Sequence, residues 1–142
     1  MLSLEPLQPH QYRQVAEWAH GPQGDVDWDD YAAYMSQHTT LGIYLGLELV
    51  GCVWIEQVGR NMAEYHIATA RRRVKPNALA KVLLQTAGEL FERHYTALVA
   101  RIPRKTIAAS RLAIRCGMRE WGHTPEIRYF ILTKQRYQRH AK

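Results

Sequence analysis

Hydrophobic positions change their spacing several times along this chain, and each change marks a new element. In "QPHQYRQVAEWAH", Tyr12, Val15, Ala16 and Ala19 recur at three- and four-residue steps, the period of one helical stripe. The spacing predicts a short amphipathic helix that stops at Gly21-Pro22, because proline offers no N–H to a helical ladder. "GDVDWDDYAAYMSQH" predicts a second short helix, its acidic start suited to the positive end of the helix dipole. The period then shortens. "LGIYLG" and "LVGCVWIEQV" are rich in β-branched and aromatic residues and flank a turn around Gly46–Glu48, and "MAEYHIAT" follows the turn "GRN". Three such runs with short connections predict an antiparallel meander.

Helical spacing returns at Asn77. Leu79, Val82, Leu83, Thr86, Leu90 and His94 form a stripe, with Pro76 in the first turn, where a proline is tolerated. "YTALVARI" predicts a buried strand and "KTIAASRLAIRCG" a helix closed by Gly117. "MREWGH" and "EIRYFILT" predict a strand pair around "HTPE", and the polar, basic "KQRYQRHAK" end is expected to fray. The order is ααβββ-α-β-α-ββ, an α+β fold whose mixed, mostly antiparallel sheet is flanked by helices. Its central strand–helix–strand unit calls for one parallel pair. With 142 residues, 46% of them hydrophobic, and no repeat or linker, residues 1–142 read as a single domain.

Charge changes the picture more than composition does. The net charge of +6 conceals a split: residues 1–70 hold two basic and nine acidic side chains, and residues 71–142 hold seventeen basic and four acidic ones. An acidic half joined to a basic half suggests two partners of opposite charge, or one anionic partner held by the second half. The plain alternative is nonspecific affinity for nucleic acid. Specific nucleic-acid binding is not expected, because no recognition motif or interleaved aromatic platform is present. No apolar run approaches the ~20 residues of a membrane span, and no leader pattern opens the chain, so a soluble cytoplasmic protein with no membrane partner is expected. Cys52 and Cys116 read as reduced, buried thiols, and the seven histidines lack the i,i+4 spacing of a metal-binding helix face, so no metal site is expected.

Three clusters carry candidate chemistry. "RRRVKPNALAKVLL", Arg71 to Leu84, puts Arg71, Arg72, Arg73 and Lys75 at a helix N-terminus. Unpaired amides, the helix dipole and guanidinium groups together make phosphate or pyrophosphate the natural ligand there; a solvated basic patch is the alternative. Glu64 and His66 lie two apart and share a face of "AEYHIAT", with Tyr65 pointing the other way. They suit proton transfer, or are ordinary strand residues. Asp25, Asp27, Asp29 and Asp30 form an acidic cluster that is either a solvated helix start or a lure for a cation.

The element order and the turn before the long helix together resemble the GNAT N-acetyltransferase superfamily, whose Q/R-x-x-G-x-G/A loop binds the pyrophosphate of acetyl-CoA through backbone amides. Here the corresponding letters are Arg73-Val74-Lys75-Pro76-Asn77-Ala78; Arg73 and Ala78 fit, and Pro76 replaces the usual glycine and removes one donor. "TIAASRLAIRCGM" resembles a second family segment through Ala108, Arg111, Leu112, Arg115, Gly117 and Met118. Thr106 stands where asparagine is common, and Ala113 where many members place a tyrosine that protonates the departing thiolate. The resemblance spans about residues 41–133. It implies acetyl-CoA as co-substrate and direct attack by an amine acceptor on the thioester. It also implies a cofactor site at Ile67, Ala68, Thr69, Arg71, Arg73, Val74, Asn77, Ala78 and Leu79, with Val99–Pro103 on the far side of the pantetheine arm. Glu64 and His66 take the general-base position, and Asp27 and Asp29 sit where the first helices wall the acceptor site. Paired GNAT domains are frequent, so a homodimer through an exposed strand near Phe130 is an expectation as well. The compact form, Pro76 and the "RYFILT" finish also resemble GNAT-like proteins of bacteriophages, some of them in virion-assembly modules. That second resemblance implies a non-catalytic domain that binds phage structural proteins and resides in the virion.

Overall fold

The structure, a computed structural model, describes residues 2–20, 27–70 and 74–140. Along them run β1 (Leu2–Pro6), a 3-10 turn (Pro9–Gln11), α1 (Tyr12–His20), α2 (Trp28–Ser36), β2 (Thr39–Leu45), β3 (Glu48–Gln57) and β4 (Met62–Thr69). There follow α3 (Pro76–Arg93), β5 (Ala97–Pro103), α4 (Ile107–Arg115), β6 (Arg119–His123), β7 (Ile127–Thr133) and α5 (Lys134–His140). The strands form one sheet in the order β1-β2-β3-β4-β5-β7-β6. Every pairing with a defined register is antiparallel except β4 with β5. The mostly antiparallel α+β class with a single parallel crossover is therefore as expected. No helix among the described residues is long and apolar enough to cross a membrane.

Contacts divide the chain into two units, residues 1–56 with 66–78, and residues 57–65 with 79–142. In the first, β3 is buried from Leu49 to Ile55, as a continuously apolar strand covered on both faces must be. Leu7, Val15, Met35, Leu49, Cys52, Trp54 and Ala68 form its core, with Tyr12, Trp18, Tyr31, Tyr34 and Tyr44 packed against it. The two-residue connection between β2 and β3 works because Gly46 takes φ 64, the positive value that right-twisted hairpins need. In the second unit, α3 buries Leu79, Val82, Leu83, Thr86, Leu90 and Phe91. Helix α4 ends in a Schellman motif: Gly117, at φ 85, donates to the Ile114 carbonyl, and Met118 donates to Ala113.

Several expectations need correction. The stripe on α1 uses Trp18, which packs on the core, whereas Ala19 is exposed. His94 lies beyond the end of α3 and is exposed. A strand, β1, precedes the first helix and pairs with β2; its short, half-exposed LSLEP sequence lacks a strong strand signature. The tail, expected as an irregular end, forms helix α5 over Lys134–His140. Tyr137 packs against Phe91 of α3, ring centroids 5.3 Å apart and planes tilted by 49°, and sits where a side chain on Gly88 would otherwise be, and Arg136 Nε donates to the Gly117 carbonyl at 2.7 Å. Phe130 is fully buried and β7 lies between β5 and β6, so the exposed edges are β1 and β6. The expected helix stop at Gly21-Pro22, together with Asp25, lies outside the described residues.

Burial moves several acids far from their ordinary range. It pushes the Cys52 thiol up from 9.0 to about 12 and the Cys116 thiol to about 11. Burial, with Cys52 and Tyr34 nearby, raises the Tyr31 phenol from 10.0 to about 12, and burial raises Tyr65 further still. The unfolded chain releases these protons at ordinary values while the folded chain holds them, so unfolding at high pH sheds protons. This contribution to stability is whole below pH 9.0 and is lost as pH climbs toward 12. Urea titrations are expected to give an unfolding free energy that starts to fall near pH 9.0. In the Cys52→Ala, Cys116→Ala double variant, that onset should move up to about pH 10, where tyrosine ionises.

Candidate active site

Strand β4 supplies the candidate chemistry, and its alternation decides which way each side chain points. Tyr65 Oη donates to the Leu83 carbonyl of α3 at 3.1 Å, so Glu64 and His66 occupy the opposite face of the strand. Glu64 is 3% exposed, a position no bare carboxylate occupies without a partner. The partner is Arg101, whose Nε and Nη2 donate to Oε2 at 2.6 Å and to Oε1 at 2.8 Å. The β4–β5 register sets Glu64 opposite Val99, so Arg101, two residues further along β5, reaches back on the same face. A bidentate fork of this kind neutralises the carboxylate and fixes its plane.

His66 has a different setting. Its ring stacks on the Trp54 indole at 5.2 Å between centroids and 8° between planes. Its Nε2 lies 3.4 Å from Glu56 Oε2, and the other oxygen of Glu56 lies 3.8 Å from His38 Nε2. The remaining nitrogen of His38, Nδ1, is 2.6 Å from the Tyr34 carbonyl, and Trp54 Nε1 donates to Tyr34 Oη at 3.2 Å. The connection that follows α2, the end of β3 and the middle of β4 thus contribute two imidazoles around one half-exposed carboxylate. Sequence spacing pointed to His66 but passed over His38, Tyr34, Trp54 and Glu56. The one usable signal was that Trp54 and Glu56 sit two apart and share a face of β3.

Beyond Glu64 the strand changes character. The ladder with β5 comprises Met62↔Ala97, Ala63↔Leu98 and Glu64↔Val99, yet β4 continues to Thr69. The edge of β4 at Ile67, Ala68 and Thr69 therefore presents its backbone N–H and C=O groups outside any ladder with β5. Ala68 is buried, and Ile67 and Thr69 are half-buried. The chain then leads to α3, whose first residue is Pro76. Helix geometry leaves the opening amides without an intrahelical acceptor. With proline in first position, the donors aimed out of the helix end are those of Lys75, Asn77 and Ala78. Val74 and Ala78 are half-buried and Asn77 is exposed, whereas Leu79, the fourth helical residue, points its side chain into the core. Arg71 and Arg73 lie outside the described residues.

Asp27 acts as a cap. Its Oδ1 accepts from the backbone N–H groups of Asp29 and Asp30 at 3.1 and 3.2 Å, and Asp29 is exposed in the first turn of α2. Both charges face the positive end of that helix, and both remain accessible to solvent.

No protein-family model and no curated protein sequence matches this chain. Solved structures do match it. The spermidine N-acetyltransferase of Vibrio cholerae, in complex with CoA and spermine, superposes with a TM-score of 0.81 at 13% identity, covering 96% of this chain and 98% of that one. The aminoglycoside acetyltransferase AAC(6')-Ib, in complex with coenzyme A, gives a TM-score of 0.77 at 14% identity over 100% of both chains. An acetyltransferase of the GNAT family from Bacillus anthracis gives 0.76 at 14% identity, covering 94% and 95%. The fold is that of the GNAT acetyltransferases. At such identity the likeness concerns backbone, and the chemistry has to be argued from this chain's own side chains.

The Glu64–Arg101 pair supplies a test of the site's construction. Arg101→Met leaves a buried carboxylate without its fork and should cost about 1–3 kcal/mol in urea unfolding. Glu64→Leu added to that variant removes the stranded charge and should recover most of the loss.

Proposed function

We propose that this protein is an acetyl-CoA-dependent N-acetyltransferase that acts on a small or protein amine by direct attack. The observation that carries the reading is the edge of β4: its ladder with β5 ends at Glu64, while the strand runs on to Thr69 toward the N-terminus of α3. A pantetheine arm is a string of amides and can hydrogen-bond along such an edge at Ile67–Thr69. A diphosphate then meets the amides of Lys75, Asn77 and Ala78, with Arg71 and Arg73 supplying countercharge.

In this reading the acceptor arrives as an ammonium ion and must lose a proton before its nitrogen lone pair can attack the thioester carbon. His66 takes that proton. Glu64, held in the fork of Arg101, contributes a fixed charge beside it. Collapse of the tetrahedral intermediate expels the CoA thiolate. Ala113 offers no hydroxyl, so the thiolate takes its proton from water. The named acceptors of two structural relatives, spermine and an aminoglycoside, are polycations, which supports an acceptor of that kind drawn by Asp27 and Asp29. The reading treats residues 1–142 as one domain working in the cytoplasm, where CoA thioesters are made. Any pairing of two copies would use the β6 edge, where Trp121 is 62% exposed.

A second reading rests on Pro76. With one amide donor fewer at the phosphate end, the domain is catalytically silent and serves in binding or virion assembly, with phage structural proteins as partners. Thermal-shift titration separates the two: acetyl-CoA at about 100 times its Kd should add about 2.7 kcal/mol of stability. No shift at millimolar acetyl-CoA or CoA would favour the assembly role. For the acceptor, Asp27→Asn with Asp29→Asn keeps the cap, because asparagine caps as well as aspartate. The double variant should raise KM for a cationic amine severalfold and leave acetyl-CoA binding unchanged; an unaltered amine KM would remove the acidic lure.

A further inference from the structure

We infer that Glu56 and His38 form a seat for a second ammonium group of the acceptor, one that does not attack, so that the substrate is a diamine or polyamine rather than a monoamine. The inference deepens the transferase reading and rests on it for the attacking amine.

The seat is a pair of facing acceptors. The Tyr34 carbonyl only accepts, so His38 Nδ1, 2.6 Å away, carries the proton of that contact. In the neutral ring the lone pair is then on Nε2. That nitrogen lies 3.8 Å from Glu56 Oε1, longer than a hydrogen bond, and a carboxylate oxygen only accepts. Two acceptors set across such a gap are satisfied together by one group that donates to both. A primary ammonium carries three N–H donors on one centre and can give one to each. A quaternary ammonium has no donor to give. Water can bridge the two atoms as well, but only the ammonium also neutralises the carboxylate.

Both sides of the seat are held before a ligand arrives. The His38 ring lies against Tyr34, centroids 4.3 Å apart and planes tilted by 38°. Trp54 Nε1 donates to Tyr34 Oη at 3.2 Å, which ties α2 to the face of β3 that also carries Glu56. The Glu56 side chain is 34% exposed and that of His38 15%, so an ammonium can reach the pair from solvent. Glu64, two residues before His66 on β4, does not compete, because the Arg101 guanidinium already neutralises it. The other oxygen of Glu56 lies 3.4 Å from His66 Nε2, which sets the seat next to the candidate base. A carboxylate favours the charged form of the amine beside it, whereas an attacking nitrogen must give up its proton and its charge. The group on Glu56 is therefore a spectator ammonium, and the attacking nitrogen is a different one, joined to it by a short methylene spacer.

Butylamine and diaminobutane share a carbon chain and differ in the second ammonium, so their kinetics with acetyl-CoA read the seat. In native protein the diamine should have a KM about tenfold below that of the monoamine, the scale of one charge-assisted hydrogen bond. Glu56→Gln should abolish that preference. His38→Phe, which keeps a ring against Tyr34 without the nitrogen acceptor, should weaken it severalfold. The readout is a ratio of two substrates on one protein, so partial unfolding of a variant cancels. Equal KM values for the two amines in native protein overturn the inference, as does a preference that survives Glu56→Gln. Calorimetric titration of the resting protein separates this outcome from the transferase reading. Native protein should bind diaminobutane about tenfold more tightly than butylamine, and Glu56→Gln should bind the two alike; equal affinities in native protein overturn the seat. If native protein acetylates neither amine, the transferase reading falls, while the calorimetry still decides whether Glu56 and His38 hold an ammonium.

Discussion

A strand inside a sheet has two rows of backbone hydrogen-bonding groups to satisfy, and β4 satisfies one of them only as far as Glu64. Everything distinctive here grows from that interruption. The parallel ladder with β5 is three residue pairs long. Up to its last pair the strand behaves as core, with Ala63 and Glu64 buried. Past it, the strand offers amides and carbonyls along one edge and delivers the chain to the start of a long helix, where more amides point outward.

Two acids lie close in sequence to this interruption, and the protein treats them differently. Glu64 is removed from water and given a guanidinium fork that reaches both carboxylate oxygens. Glu56 stays half-exposed and shares its oxygens between two imidazoles. A buried, bidentate pair is stiff, because moving either member strands a charge. The two acids thus differ in burial and in partner, although both carry the same functional group.

The acidic cluster of the first half shows how one set of charges can serve structure without being used up by it. Asp27 spends one oxygen on two backbone amides and Asp29 complements the helix dipole, yet both remain at the surface. Local structure explains why acids stand at that helix start. It leaves their long-range field intact, as the charge split between the halves of the chain requires.

The sequence by itself determined what depends on near neighbours. Alternation and helical period are local, so the meander, the long α3, the Gly117 stop and the pairing of "MREWGH" with "EIRYFILT" were legible, and the β4-α3-β5 order already demanded one parallel pair. That Glu64 and His66 share a face followed from the two-residue repeat of a strand. The packing was not legible. The tail became a helix because Tyr137 docks over Gly88 and Arg136 reaches Gly117, partners far back in the chain. Phe130 lies on β7, inside the sheet between β5 and β6 rather than at its edge, and is fully buried. Arg101 meets Glu64 across 37 residues, and Trp54 and Glu56 of β3 gather around His66 with His38 from the connection between α2 and β2. Periodicity says which way a side chain points relative to its neighbours in sequence, and only the folded chain decides what it then meets, since contact energies depend on distance in space.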